Sequence, residues 1–171
     1  LADGQDQVVV PMTWTDSKGV VFTKEFVLKR GDYAIGVDYK IDNQSGQAWS
    51  GNFYAQLKRD NSADPSSTTA TGTATYLGAA LWTAEEPYKK VKMGDMDEKS
   101  LRETVQGGWV AWLQHYFVTA WVANKDDNNS VQTRKDSQGN YIIGFTGPQL
   151  SVAAGASAET LSTLEEPGSE S

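Results

Sequence analysis

His115 is the only imidazole in this chain, and there is no cysteine. General-base chemistry at His115 would need a hydroxyl nucleophile and an orienting carboxylate beside it, and no glycine-x-serine-x-glycine elbow supplies the first. One imidazole without thiolates also makes no zinc ligand set, so neither a metal nor any other cofactor is expected. Two acidic clusters, Asp95-Met96-Asp97-Glu98 and Asp126-Asp127-Asn128-Asn129, gather the oxygen ligands that calcium prefers. They lack the spaced ligands, central glycine and closing glutamate of a calcium loop, and read as solvated turns. A pair of carboxylates for glycoside chemistry is defined by separation in space and is not legible in sequence. The glycines form no phosphate cradle with a lysine. Two asparagine sequons, Asn43-Gln44-Ser45 and Asn128-Asn129-Ser130, fall in expected turns. The expected catalytic set is therefore empty, and the chain reads as a binding or scaffold domain, not an enzyme.

Electrostatics narrows the partners. With 15 basic and 22 acidic side chains the formal charge is -7, which repels phosphate backbones. The short basic clusters Lys29-Arg30, Lys58-Arg59 and Lys89-Lys90-Lys92 carry no interleaved stacking rings, and nucleic acid is not expected. The chain opens on Leu1 without a basic-then-apolar leader and reads as an excised or processed segment.

The 171 residues are enough for one sizeable core, and the load of threonine, valine, tyrosine and tryptophan favours strands. Val8, Val10, Met12 and Trp14 share one side of a pleat, and Asp16-Ser17-Lys18-Gly19 turns the chain. Val20, Phe22, Phe26 and Leu28 mark a second strand, interrupted by Lys24. Tyr33, Ile35, Val37, Tyr39 and Ile41 mark a third, and Trp49, Gly51, Phe53, Ala55 and Leu57 a fourth. Short connections predict a four-strand antiparallel meander. Residues 58–75 read as a long polar loop, and a helical turn is expected near Asp97 to Val105. Beyond a turn at 124–130, strands are expected at Val131 to Lys135 and Tyr141 to Phe145, with Gly147-Pro148 and Ala153-Ala154-Gly155 punctuating shorter ones. One domain is expected over 1–164, and the acidic ending 165–171 is expected to fray.

"GGWVAWLQHYFVTAWV", residues 107–122, fits both periods. A strand puts Trp109, Ala111, Leu113, His115, Phe117, Thr119 and Trp121 on one face; a helix gathers Trp109, Trp112, Leu113, Tyr116, Phe117, Ala120 and Trp121. Aromatic and β-branched content and the leading diglycine favour a long central strand, bent or bulged near Gln114-His115. The run is too short, and too interrupted, to span a bilayer as a helix.

Two stretches, "VPMTWTDSKGVVFTKEFVLKRGDYAIGVDYKIDN" (10–43) and "GGWVAWLQHYFVTAWV", resemble the periplasmic domain of the YidC membrane-protein insertase family of Gram-negative bacteria. "YAQLKR" (54–59) and "YLGAALWT" (76–83) stand where that domain has comparable segments, and the likeness runs over roughly 7 to 164. It implies an all-β, antiparallel β-supersandwich of the galactose-mutarotase or sugar-binding type, with long loops and little helix. It also implies a fragment of a longer inner-membrane protein, lying on the periplasmic face and lacking the first strands, so that one sheet edge is expected to be open. The implied function is assistance to insertion and folding of inner-membrane proteins, with nascent inner-membrane proteins, SecD-SecF and the Sec translocon as partners. The contact region maps approximately onto residues 38 to 88, where Tyr76, Trp82 and Tyr88 are the aromatic candidates for a partner-binding surface. The alternatives are a carbohydrate-binding or mutarotase-like module, whose histidine and carboxylate pairs are incomplete here, and a general holdase with an open apolar groove.

Overall fold

The structure is a computed structural model describing residues 2–63 and 76–165. Its elements in chain order are β1 (Gln7–Thr15), β2 (Val20–Lys29), β3 (Ala34–Asn43), β4 (Trp49–Arg59), β5 (Gly78–Leu81), β6 (Lys89–Val91), α1 (Met93–Glu98), β7 (Arg102–Gln106), β8 (Trp109–Leu113), β9 (Val118–Val122), β10 (Asn128–Lys135), β11 (Tyr141–Val152) and β12 (Ser157–Glu165). They form two antiparallel sheets, an eight-stranded one in the order β1-β2-β3-β12-β9-β8-β5-β6 and a four-stranded one in the order β4-β11-β10-β7. The expected all-β sandwich is what the chain builds.

Side chains that pair across antiparallel strands share a face. One row therefore crosses the whole large sheet on its inner side: Val8, Leu28, Ile35, Leu164, Trp121, Val110, Leu81 and Lys89. Its middle is dry, with Leu81 and Val110 fully buried in a core completed by Ile143, Val131 and Phe145 from the small sheet. Its β1 end is wet, because the small sheet stops at β4. Trp49 meets Phe22 edge-on and Phe53 meets Tyr39, so β4 lies over β2 and β3 and reaches no farther. Val8, Val10, Met12 and Trp14 are left on an open shelf, and β1 is exposed along its whole length. Pro11 sits in the middle of that edge strand, opposite Glu25.

Several expectations need correction. The predicted meander holds for β1 to β3 only; β4 crosses to the other sheet and pairs with β11. Alternation reports which face is buried, but not which neighbour supplies the ladder. The helical turn forms earlier than expected, at Met93–Glu98, where Asp95 Oδ2 accepts the Lys92 N–H at 2.9 Å, and residues 102–106 are strand instead. The last three residues of the expected turn 124–130 are strand instead, since β10 opens at Asn128. Gly147-Pro148 falls at a bulge inside the continuous β11, between Thr146 and Gln149. Lys58 and Arg59 belong to β4, while most of the expected polar loop, 64–75, and the ending 166–171 lie outside the described residues.

The stretch 107–122 is a hairpin and not one long strand. β8 and β9 pair from Trp109↔Val122 to Leu113↔Val118, and Gln114 N donates to Phe117 O at 2.8 Å to close the turn. The reversal splits the predicted face. Trp109, Ala111 and Leu113 share the outer side with Ala120, whereas Val110 and Trp112 share the inner side with Trp121. His115 lies in the turn, with the Tyr116 ring edge-on at 4.1 Å. Both leading glycines take positive φ, +62° at Gly107 and +85° at Gly108, conformations that a side chain would strain.

Asp136 anchors the β10–β11 turn. Its Oδ1 accepts the N–H groups of Gln138 and Asn140 at 2.9 Å each, and its Oδ2 meets Lys58 Nζ on β4 at 2.8 Å. The Lys58 ammonium first, and then the Asn140 N–H, hold this carboxyl well below the usual carboxylate range. A carboxyl depressed in the folded state stabilises it fully above the unfolded value, near pH 4, and loses that contribution as pH falls toward the folded value. The stability difference between wild type and Asp136→Ala should therefore shrink steadily from pH 5 to pH 2 in urea titrations. A difference independent of pH would show that the carboxylate does not anchor this turn.

Candidate functional site

The outer face of the large sheet carries a compact aromatic and basic cluster. Ala80, Ala111 and Ala120 lie side by side on β5, β8 and β9, and all three are buried, although this face points away from the small sheet. Tyr76 folds back across Gly78, its Oη donating to Ala79 O at 2.7 Å. A Cβ at Gly78 would stand 2.6 Å from that Oη, so glycine is required for the approach. Burial pushes the Tyr76 phenol up to about 12.

Lys90 stands over both tyrosines, with Nζ 4.7 Å from the Tyr76 ring centroid and 5.6 Å from that of Tyr88. Contacts of this kind contribute about 0.5–1 kcal/mol at exposed sites. Tyr88 in turn packs against Trp109 at 6.0 Å and stays 50 % exposed. The result is a surface of rings around one cation, with Lys90 on β6, Trp109 on β8 and the two tyrosines just ahead of β5 and β6.

Of the three aromatic candidates named from sequence, Tyr76 and Tyr88 meet here, and Trp82 does not join them. Trp82 packs on the interior cluster, beside Gly108. Sequence reasoning missed Lys90 and Trp109. A usable signal was present in "YKK": Tyr88 and Lys90 are two apart at the start of a strand and must share a face.

The other residues singled out for chemistry are accounted for structurally. Asp97 bonds Lys135 Nζ at 2.6 Å and the Tyr141 hydroxyl at 3.1 Å. Among the described residues no group of three or more His, Asp or Glu side chains is placed to hold a metal ion. Of the six tryptophans, Trp14 is the one with a largely exposed ring, and it stacks on Phe22 at 5.1 Å. Beside that pair, Phe22, Tyr39, Trp49, Phe53 and Leu150 line an apolar cleft of about 170 Å³ between the sheets.

Comparison with solved structures places the fold. The α-galactosidase AgaA of Geobacillus stearothermophilus aligns over 98 % of this chain and 25 % of its own, at TM-score 0.64 and 10 % identity. A galactose mutarotase related enzyme from Lactobacillus acidophilus aligns over 95 % of this chain and 68 % of its own, at TM-score 0.61 and 6 % identity. Likeness at these identities concerns the sandwich alone. Sequence relatives are far nearer: the membrane protein insertase YidC of Azotobacter vinelandii is 71 % identical over 164 residues, and that of Pseudomonas putida 70 %. The alignments cover 96 % of this chain and 29 % of each relative. The profile of the YidC periplasmic domain matches residues 1–164. The profile match over nearly the whole chain and the identity to these relatives agree: this chain belongs to the YidC periplasmic domain family.

Proposed function

We propose that the chain is a non-catalytic protein-docking domain on the periplasmic face of the inner membrane, serving a longer protein that assists insertion and folding of inner-membrane proteins. SecD-SecF is the proposed partner, and nascent inner-membrane proteins are the proposed clients of the whole molecule. The observation that carries the reading is the Tyr76–Lys90–Tyr88–Trp109 surface. It combines ring area that loses little side-chain entropy on binding with one cation that can fix orientation, the usual make-up of an interface anchor. A carbohydrate module has only the shared sandwich behind it, and the lone imidazole stands in a hairpin turn.

Tyr88→Ala combined with Lys90→Ala in the full-length protein tests the proposal. Both side chains are exposed, so folding should be retained, with the melting temperature within a few degrees of wild type. Co-purification with SecD-SecF from detergent-solubilised membranes should fall at least tenfold. Undiminished recovery of SecD-SecF would remove this surface from the interface. Trp82 is unsuitable for the test because its loss would disturb the interior.

A further inference from the structure

No Asp, Glu, Lys or Arg falls between Glu103 and Lys125, in a chain of which 22% is charged. Burial accounts for most of that gap, since Val110, Ala111, Trp112, Ala120 and Ala123 are interior. It does not account for the hairpin tip, where Tyr116 and Phe117 are 69 % and 67 % exposed. Hairpin turns in water ordinarily use Asn, Asp or Gly, and this one presents Gln114, His115, Tyr116 and Phe117 instead.

Strand directions show what shares that end of the large sheet. Ala34, Glu165, Ala120, Ala111 and Ala80 form one row. The tip continues three residues beyond Ala120, which at strand rise is roughly 10 Å. At the same end lie the β2–β3 turn, with Tyr33 65 % exposed beside Lys29, Arg30 and Asp32, and the C-terminal end of β12. The β1–β2 turn, with Ser17, lies at the opposite end.

We propose that this end of the sheet faces the bilayer and that Tyr116 and Phe117 rest in the headgroup layer of the outer leaflet. Aromatic rings concentrate at that depth because the body is apolar while a hydroxyl or ring edge stays wet, and Lys29 and Arg30 can reach lipid phosphates from beside Tyr33. A periplasmic domain of an inner-membrane insertase always has this surface within reach. The net charge of -7 gives no long-range pull toward anionic lipid. The contact therefore depends on tethering, which raises the local concentration of bilayer without any added affinity. Its effect is to fix how the domain stands over the membrane, leaving the Tyr88–Lys90 surface facing sideways.

The test uses the full-length protein in phosphatidylcholine vesicles containing nitroxide-labelled lipid. An environment-sensitive fluorophore is placed at Gln114→Cys, or at Ser17→Cys as the reference, in a background otherwise free of cysteine. Lipid quenching should be several-fold stronger at position 114 than at 17. In Tyr116→Ser/Phe117→Ser it should drop to the level of position 17, with the melting temperature unchanged. Equal quenching at both positions, or strong quenching at 114 that survives the double serine change, overturns the proposal. So does shielding of position 114 from aqueous iodide without quenching by lipid, the outcome expected if the rings sit in a protein pocket.

Discussion

Asn43→Leu should lower the stability of the fold by about 3 kcal/mol, because the change leaves several buried backbone groups without partners at once. Asn43 is fully buried at the end of β3. Its Nδ2 donates to Gln47 O at 2.8 Å, Val152 O at 2.9 Å and Ala153 O at 3.2 Å, and its Oδ1 accepts from Ser45 N and Oγ at 3.1 and 2.6 Å. One amide thus ties the β3–β4 turn to the end of β11, the point where the two sheets are joined. Leucine keeps the branched outline and the number of side-chain heavy atoms, so the loss reads the missing hydrogen bonds, with some overpacking by its larger methyl groups added. For a domain of this size the cost corresponds to roughly 6 to 12 °C in melting temperature. Asn43→Asp supplies the control for chemistry. Its carboxylate would face carbonyl oxygens, so this variant should be weakest at neutral pH and recover part of the loss on acidification, when a proton returns a donor. Differential scanning calorimetry at pH 7 and pH 5 reads both; a Leu variant within 1 kcal/mol of wild type would show that solvent replaces the amide. The same burial makes the Asn43-Gln44-Ser45 sequon a structural element and not a surface acceptor.

Leu81→Ala should be the most damaging single truncation, about 4 kcal/mol within the usual 2–5 kcal/mol for a buried leucine. Leu81 is fully buried and lies between Val110 and Lys89 in the row that crosses the large sheet. Strands on both sides fix the backbone, so the cavity cannot collapse, and the cavity term adds to the lost transfer energy. Urea unfolding should show the midpoint falling while the slope stays constant. Leu161→Ala, on the exposed side of β12, should cost less than about 0.5 kcal/mol. Comparable losses at the two leucines would mean that the interior is not packed as described.

Much of the architecture was legible because half-buried strands write their period into the sequence. Tyr33 to Ile41 alternates cleanly, and β3 follows it. Two things were not legible. The His115-Tyr116 turn carries no glycine, proline or asparagine, and positive φ among the described residues is confined to glycines, so the hairpin lacked the usual punctuation. Pairing partners were also hidden: nothing local to β4 says that it leaves β3 for β11. The aromatic surface was half legible for the same reason. Tyr76 and Tyr88 are twelve residues apart, and only the β5–β6 pairing brings both under Lys90.

Pro11 gives the open side of the large sheet a polarity of its own. An edge strand with every amide available would recruit a second copy and propagate into a fibre, but a proline in mid-strand deletes one donor and breaks the template. The neighbouring border, β4, has no proline from Trp49 to Arg59. Accretion should begin there when the chain is concentrated, and Asn52→Lys, at an exposed position of β4, would be the substitution to try first for keeping it monodisperse.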